Sequence, residues 1–359
     1  MQLDLSVPKK KPVSSGEDGG GGLLLSTARE AIDRALCAHS GRILVLSDGA
    51  SFSQFVPAAR LEHTVCMLWD GNALGLFALP EVRHVLVSGG REALEAARFF
   101  AHVRRISCTA FPQHAALDGV FNARGAVCLD GHRLEVPLAE AQVVADMSLL
   151  ANTLAEGYAR LLLSRLALFE ATALAKICCR ERSGAVWEEA FLLTSDVRGE
   201  LSEREVVLRN AALRRLENEG VPCGEGRVLA ELSASRYPAA TAYLSLCALY
   251  TAFFERGVPR RYAVPDYAVR SSRSGTRYAE THVPTPTQYA SRAICLERVR
   301  GELLVQMRHI RAAKQTQLAA MRALDENFSA DASLASLSHL PEHAPEGLSA
   351  VIRDFGLLD

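Results

Sequence analysis

The chain of 359 residues is 49% apolar and 23% charged, with a formal net charge of −1. That composition excludes a wholly disordered chain, and the near-neutral balance excludes a global field that would recruit nucleic acid or an anionic membrane. The length suffices for two domains. Nine cysteines, an odd number without Cys-x-x-Cys spacing, argue against a disulfide framework or a zinc ribbon, so a reducing, cytoplasmic setting is expected.

Residues 1–22 carry Lys9–Lys11 and a Ser/Gly-rich stretch, and read as a solvated, disordered tail. Thr27 and Glu30 form a capping-box pattern that opens a helix running to about Ala38. Apolar runs predict strands over 42–48, 63–69, 82–88, 105–110 and 141–146, with a small hairpin over 125–137. Between the third and fourth strands, residues 92–103 show helical spacing. Strands alternating with helices imply a mostly parallel sheet covered on both faces, with ligands bound at the strands' carboxyl ends. Gly89–Gly90, Pro112 and Asp118 all follow strand ends and are expected to share one crevice. Beyond residue 150 strand patterns almost vanish. Helices are expected over 154–179, 203–219, 228–233, 238–254 and 292–324, followed by a less defined tail from Asn327. The chain therefore divides into an α/β domain over 23–150 and an all-α domain over 151–359. The uncharged stretch from Tyr237 to Phe254 is borderline in length for a bilayer span and reads as a buried helix.

The stretch Val85–Arg98 reads as strand, two-glycine turn and helix. Glycines allow a close backbone approach, and a helix N-terminus favours an anion such as a pyrophosphate. A plain turn of the same composition binds nothing, and this stretch alone does not separate the two.

The segment Gly89–Arg98, GGREALEAAR, resembles the GGGSxxDxAK cofactor turn of the iron-containing alcohol dehydrogenase, glycerol dehydrogenase and dehydroquinate synthase superfamily. Arg91 replaces the third glycine, Glu95 the aspartate and Arg98 the lysine. Pro112–Gly119, PQHAALDG, is similar to the PTxxSxDG segment of the glycerol-1-phosphate dehydrogenase branch, with Gln113 and Ala116 departing from it. The resemblance covers roughly residues 40–170. It implies a Rossmann-like domain that binds NAD or NADP, a dehydroquinate synthase-like helical domain, and a polyol or polyol-phosphate substrate between them. Asp48, Gly89, Gly90, Arg91 and Pro112 then lie on the cofactor side, and Asp118, His114 and Arg160 on the catalytic side.

The family's metal polarises the substrate hydroxyl and is held by one Asp and two His of the helical domain. In this chain the "aGxxDxl" helix opening matches Leu154–Leu162, and the aspartate position falls on Arg160, which has no lone pair to offer a metal. No histidine lies between residues 133 and 281, where the family places its histidine ligands. A zinc or iron site is therefore not expected. His282, flanked by Pro284 and Pro286, reads as a loop histidine.

Several residues keep two readings. Asp118 is either a substrate carboxylate or part of an Asp-Gly turn. His114 either donates to a ligand and acts as an acid/base, or bonds to backbone at a strand end. Arg91 reaches a phosphate, fills the pyrophosphate space, or is solvated. The arginine run at 256, 260, 261, 270, 273 and 277 is a phosphate clamp at the cleft mouth, a solvated loop, or a contact within a homo-oligomer. Two functions follow: a metal-free oxidoreductase acting on a polyol or polyol phosphate, or a pseudoenzyme of the same fold that binds a nucleotide, metabolite or partner without turnover. An open pocket around Asp118, His114 and Arg160 is compatible with either. A cleft filled by Tyr158, Arg160 and apolar side chains would remove the first.

Overall fold

The computed structural model describes residues 22–49, 63–178, 185–195, 201–256, 284–332, 337, 340–344 and 346–355. The tail before Gly22, His282 and the arginines from 260 to 277 lie outside the described residues.

Six parallel strands form the main sheet: β1 (Leu23–Leu25), β2 (Ile43–Ser47), β3 (Thr64–Leu68), β4 (His84–Gly89), β5 (Ser107–Pro112) and β8 (Gln142–Ala145). Their spatial order is β1-β8-β5-β4-β2-β3. The chain moves outward from β2 to β3 and then returns to β4 on the other side of β2. The order therefore reverses between β2 and β4, where such sheets open a crevice at their carboxyl ends. Asp48 and the Gly89–Gly90 turn stand at that point. β6 (Arg124–Leu129) and β7 (His132–Pro137) form the expected antiparallel hairpin.

Helix α1 (Ala28–Ala38) starts with the capping box read from the sequence: Thr27 accepts the Glu30 amide, and Glu30 reaches back to the Thr27 N–H. After the short α2 (Leu74–Phe77), α3 (Arg91–Arg104) buries Leu94, Ala97, Phe100 and Ala101 against the sheet. Its last residues differ from the sequence reading. Arg105 is a left-handed C-cap with φ 55°, so β5 begins at Ser107 rather than Arg105. The three-residue edge strand β1 carries too little pattern to be seen in sequence.

From Met147 the regular elements among the described residues are helical: α4 (Met147–Leu150), a 3-10 turn at Ala151–Thr153, α5 (Leu154–Ile177), α6 (Ala185–Ser195), α7 (Glu203–Asn218), α8 (Gly224–Leu232) and α9 (Pro238–Arg256). There follow α10 (Pro286–Ala312), α11 (Lys314–Leu324), α12 (Leu340–His343) and α13 (Leu348–Asp354). α5 is apolar almost all round and is the axis of this half of the molecule. α9 is a buried core helix, as expected, and none of the described helices is long and apolar enough to cross a membrane.

Three sequence expectations are corrected here. The region predicted as one helix from Arg292 is two helices, and the first begins earlier, at Pro286. Pro286 occupies the first turn, where its missing N–H costs nothing, and Thr285 with Gln288 completes a capping box. The tail beyond Asn327 is not loose: Leu337, Leu340, Val351, Ile352 and Phe355 are buried in the helical core. α6 had not been anticipated at all.

Arg98, buried on α3, shows how the α/β half is held together. Its Nε donates to Ala139 O at 2.8 Å, and its two terminal nitrogens donate to Gly119 O at 2.8 Å and Asn122 O at 2.6 Å. Three otherwise open carbonyls of the loops after β5 and β7 are thus satisfied by one cation. Replacing Arg98 with methionine strands them, and the expected loss is about 3 kcal/mol or more in urea denaturation. A variant as stable as wild type contradicts this account.

Candidate active-site cleft

A cleft of about 310 Å³ opens between the carboxyl ends of β4 and β5 and helices α5, α8 and α9. Gly89, Gly90, Arg91, Pro112, His114, Asp118 and Arg160 all line it, so seven of the eight site residues proposed from sequence converge. Tyr158 does not; it is fully buried in the helical core. The cleft is open rather than filled.

The eighth residue, Asp48, does not line the cleft but supports it. Its Oδ2 accepts the Gly90 N–H at 2.8 Å. Gly89 is needed for this approach: it has φ +156°, and a Cβ there would lie 2.7 Å from Asp48 Oδ2. Part of the anion-attracting end of α3 is therefore already engaged by the chain's own carboxylate. Beside it the turn is open, because a Cβ on Gly90 would meet nothing within 4 Å. Arg91 is not free. Its Nε donates to the buried Glu95 at 2.8 Å, and its NH1 reaches Glu231 of α8 at 3.1 Å, across the cleft. The turn thus has room for a phosphate group, on condition that the exposed Glu231 swings aside.

At the inner end, Asp118 Oδ1 accepts from Arg160 at 3.0 Å and from Arg214 of α7 at 3.3 Å. Arg214 is itself held by Glu217 at 2.6 Å and Ser164 at 3.0 Å. Desolvation would raise the Asp118 pKa, but Arg160, Arg214 and Arg227 outweigh it and hold the carboxyl well below its usual range. Arg160 is buried, and its Nε has no hydrogen-bond partner. His114 accepts the Ala116 N–H at Nδ1 (3.2 Å), which leaves the proton of the neutral ring on Nε2. Its ring reaches the cleft while the protein flanks it on other sides; this desolvation lowers its pKa, against the pull of Asp118. The backbone-bonded reading of His114 and its place in the cleft therefore both hold.

Three participants escaped sequence reading. Glu156 lies one helical turn before Arg160 on α5, and that spacing was the only available signal. Its carboxylate accepts the amides of Ala239 and Ala240 at the start of α9. Burial nevertheless pushes its pKa up to about 7. Arg214 and Arg227 arrive from helices whose placement depends on the whole core, and nothing local marks them.

The described residues of the cleft do not fit a divalent metal. Among the described residues, no three His, Cys, Asp or Glu side chains stand close enough together to hold one. The carboxylates nearest Arg160 are committed to guanidinium groups or helix amides, and a divalent ion at this point would face Arg160, Arg214 and Arg227. α9 brings only Pro238 and Ala239 to the cleft.

Comparison with solved structures agrees with this architecture. An iron-containing alcohol dehydrogenase from Thermotoga maritima superposes with a TM-score of 0.52 over 93% of this chain and 96% of its own, at 9% identity. The fold is that of the iron-containing alcohol dehydrogenases. A probable glycerol dehydrogenase from Sinorhizobium meliloti matches 84% of this chain and 98% of its own, at 15% identity and a TM-score of 0.48. No family model and no curated protein sequence matches the chain.

Removing the Asp118 carboxylate leaves two buried guanidiniums short of a shared counter-charge. Asp118→Ala is expected to cost about 3 kcal/mol in chemical denaturation at neutral pH. Asp118→Ala with unchanged stability would show that the pairs are incidental.

Proposed function

We propose that the cleft binds a small phosphorylated polyol and that metal-assisted hydride transfer has been lost. The phosphate is placed beside Gly90 and Arg91, where the turn is open and the exposed Glu231 competes for Arg91. The hydroxyl groups meet Asp118, His114 and Glu156 at the inner end. The volume of about 310 Å³ suits one small metabolite, being at the lower end of the range for ligand pockets. The observation that carries the reading is the Arg160–Asp118–Arg214 cluster. It puts paired guanidiniums at the position the resemblance assigns to a metal ligand, and a guanidinium neutralised by a carboxylate is a weak stabiliser of an alkoxide.

A second reading rests on Glu156. A carboxyl pushed up to about 7 beside the unpartnered Arg160 Nε is suited to take a hydroxyl proton near neutral pH. On this reading the protein is a metal-free oxidoreductase. NAD or NADP would bind at Asp48, Gly89–Gly90, Arg91 and Pro112 and supply the hydride acceptor.

Calorimetric titration with glycerol 1-phosphate and with NADH, together with an absorbance assay for NADH production, distinguishes the readings. The first predicts saturable polyol-phosphate binding, weakened about tenfold to a hundredfold in Arg91→Ala, with no turnover. NADH production that disappears in Glu156→Gln would establish the second. Absence of binding by either ligand at millimolar concentration would overturn both.

A further inference from the structure

The helical half contains a second cavity, of about 260 Å³, distinct from the cleft and lined by Glu170 of α5 and by Gly224, Glu225, Ala344, Gly347 and Leu348. Glu170 and Glu225 are both almost fully buried there. They meet at one hydroxyl: Tyr250 Oη of α9 lies 2.7 Å from Glu170 Oε1 and 2.8 Å from Glu225 Oε2.

Counting protons decides the state of this cluster. A tyrosine hydroxyl has one hydrogen to donate, and an ionised carboxylate has none. Two oxygens at hydrogen-bond distance from Tyr250 Oη therefore require a second proton, carried by one of the carboxyls and donated to the tyrosine oxygen. Glu225 is the better anion. Its oxygens accept the Ser349 N–H at 3.0 Å and the Ser349 hydroxyl at 2.8 Å, in addition to Tyr250. Glu170 accepts only the Glu225 N–H, at 2.8 Å, besides its tyrosine contact. The proton thus belongs on Glu170, in a chain Glu170–Tyr250–Glu225. Burial raises both pKa values, and repulsion by Glu225 raises that of Glu170 further, which favours Glu170 as the carrier of the shared proton.

Among the described residues, no arginine or lysine pairs with either carboxyl, and Arg353, buried on α13, forms no ion pair with them. The other ionisable neighbours are Tyr250 and Cys247 of α9 and Glu346 at the cavity wall. All three are neutral or acidic.

Glu225 also holds the end of the chain, since its carboxylate caps the first turn of α13 through Ser349. Gly347 makes this possible: a Cβ on it would collide with Glu225 Oε1. We infer that Glu170, Tyr250, Glu225 and Ser349 form a proton-dependent clasp, in which docking of the C-terminal segment 346–355 takes up one proton and its release gives that proton back to water. The segment forms one wall of the cavity and covers the two carboxyls. When it lifts, water reaches the carboxyls and both ionise.

The sign follows from the raised folded-state value. Glutamate in water titrates at about 4.3, so the open state loses the proton first. Docking is therefore fully favoured below that value. It weakens as pH rises toward the higher value of the docked state, at most tenfold per pH unit, and then levels off.

Hydrogen exchange of the full chain tests this, with opening constants for residues 346–355 corrected for intrinsic exchange and referenced to α3. Between about pH 5 and about pH 8 the wild-type opening constant is expected to rise severalfold to tenfold per unit. In Glu170→Gln, whose amide donates permanently to Tyr250, the dependence should be flat. A flat wild-type profile, or an unchanged slope in Glu170→Gln, would overturn the proposal. Should Glu170→Gln fail to fold, infrared spectroscopy of Glu156→Gln provides the independent readout. It should show a protonated-carboxyl band at pH 7 that is lost on alkaline titration, and absence of the band refutes the clasp.

Discussion

Asp118 stands where the two halves of the chain meet. It belongs to the loop after β5, yet its counter-charges come from α5 and α7. One carboxylate thereby ties the α/β body to the helical body at the inner end of the cleft, and Glu156 ties α5 to the start of α9 on the same side. Arg214 and Arg160 are both almost fully buried; Glu217 compensates Arg214 as well, whereas Asp118 is the carboxylate paired with Arg160, and an uncompensated cation there would cost several kcal/mol. The cleft is consequently a charge-balanced structure before any ligand enters it.

That balance separates architecture from chemistry. The parallel sheet, the strand reversal between β2 and β4 and the glycine turn at α3 are those of a dehydrogenase fold. At the centre, however, the side chains neutralise one another instead of presenting lone pairs to a cation. The outer end is different, because Gly90 borders open space and the Arg91–Glu231 bridge is exposed enough to be exchanged. Recognition of an anion at the mouth is thus physically easier than activation of a hydroxyl at the floor. The helical half repeats the theme of buried charge with another solution, since among the described residues no cation pairs with Glu170 or Glu225, and the two carboxyls share a proton through Tyr250.

Much of this was legible in the sequence because it is local. Apolar runs and capping boxes announced the sheet and α1, and Gly89–Gly90, Pro112, His114 and Asp118 converge because strand ends of a parallel sheet share one edge. Arg160 was found by its position in a helix opening. The rest depends on partners distant in sequence. Glu156, Arg214 and Arg227 look like ordinary helix charges until α5, α7 and α8 are packed. The start of α10 at Pro286 was missed, because a proline marks a first turn only once the Thr285–Gln288 capping box is seen around it. α13 has seven residues, too few for a periodic signal, and it is held by the Glu225 cap and by apolar burial.

The central proposal is that guanidinium–carboxylate pairing at Arg160 stands where the resemblance implies a metal ligand. Metal content of the full chain, purified without chelators and dialysed against micromolar zinc and iron, tests it most directly. The account predicts far less than one equivalent of either metal per chain. One equivalent of zinc or iron, retained by wild type and lost in Asp118→Ala, would contradict it.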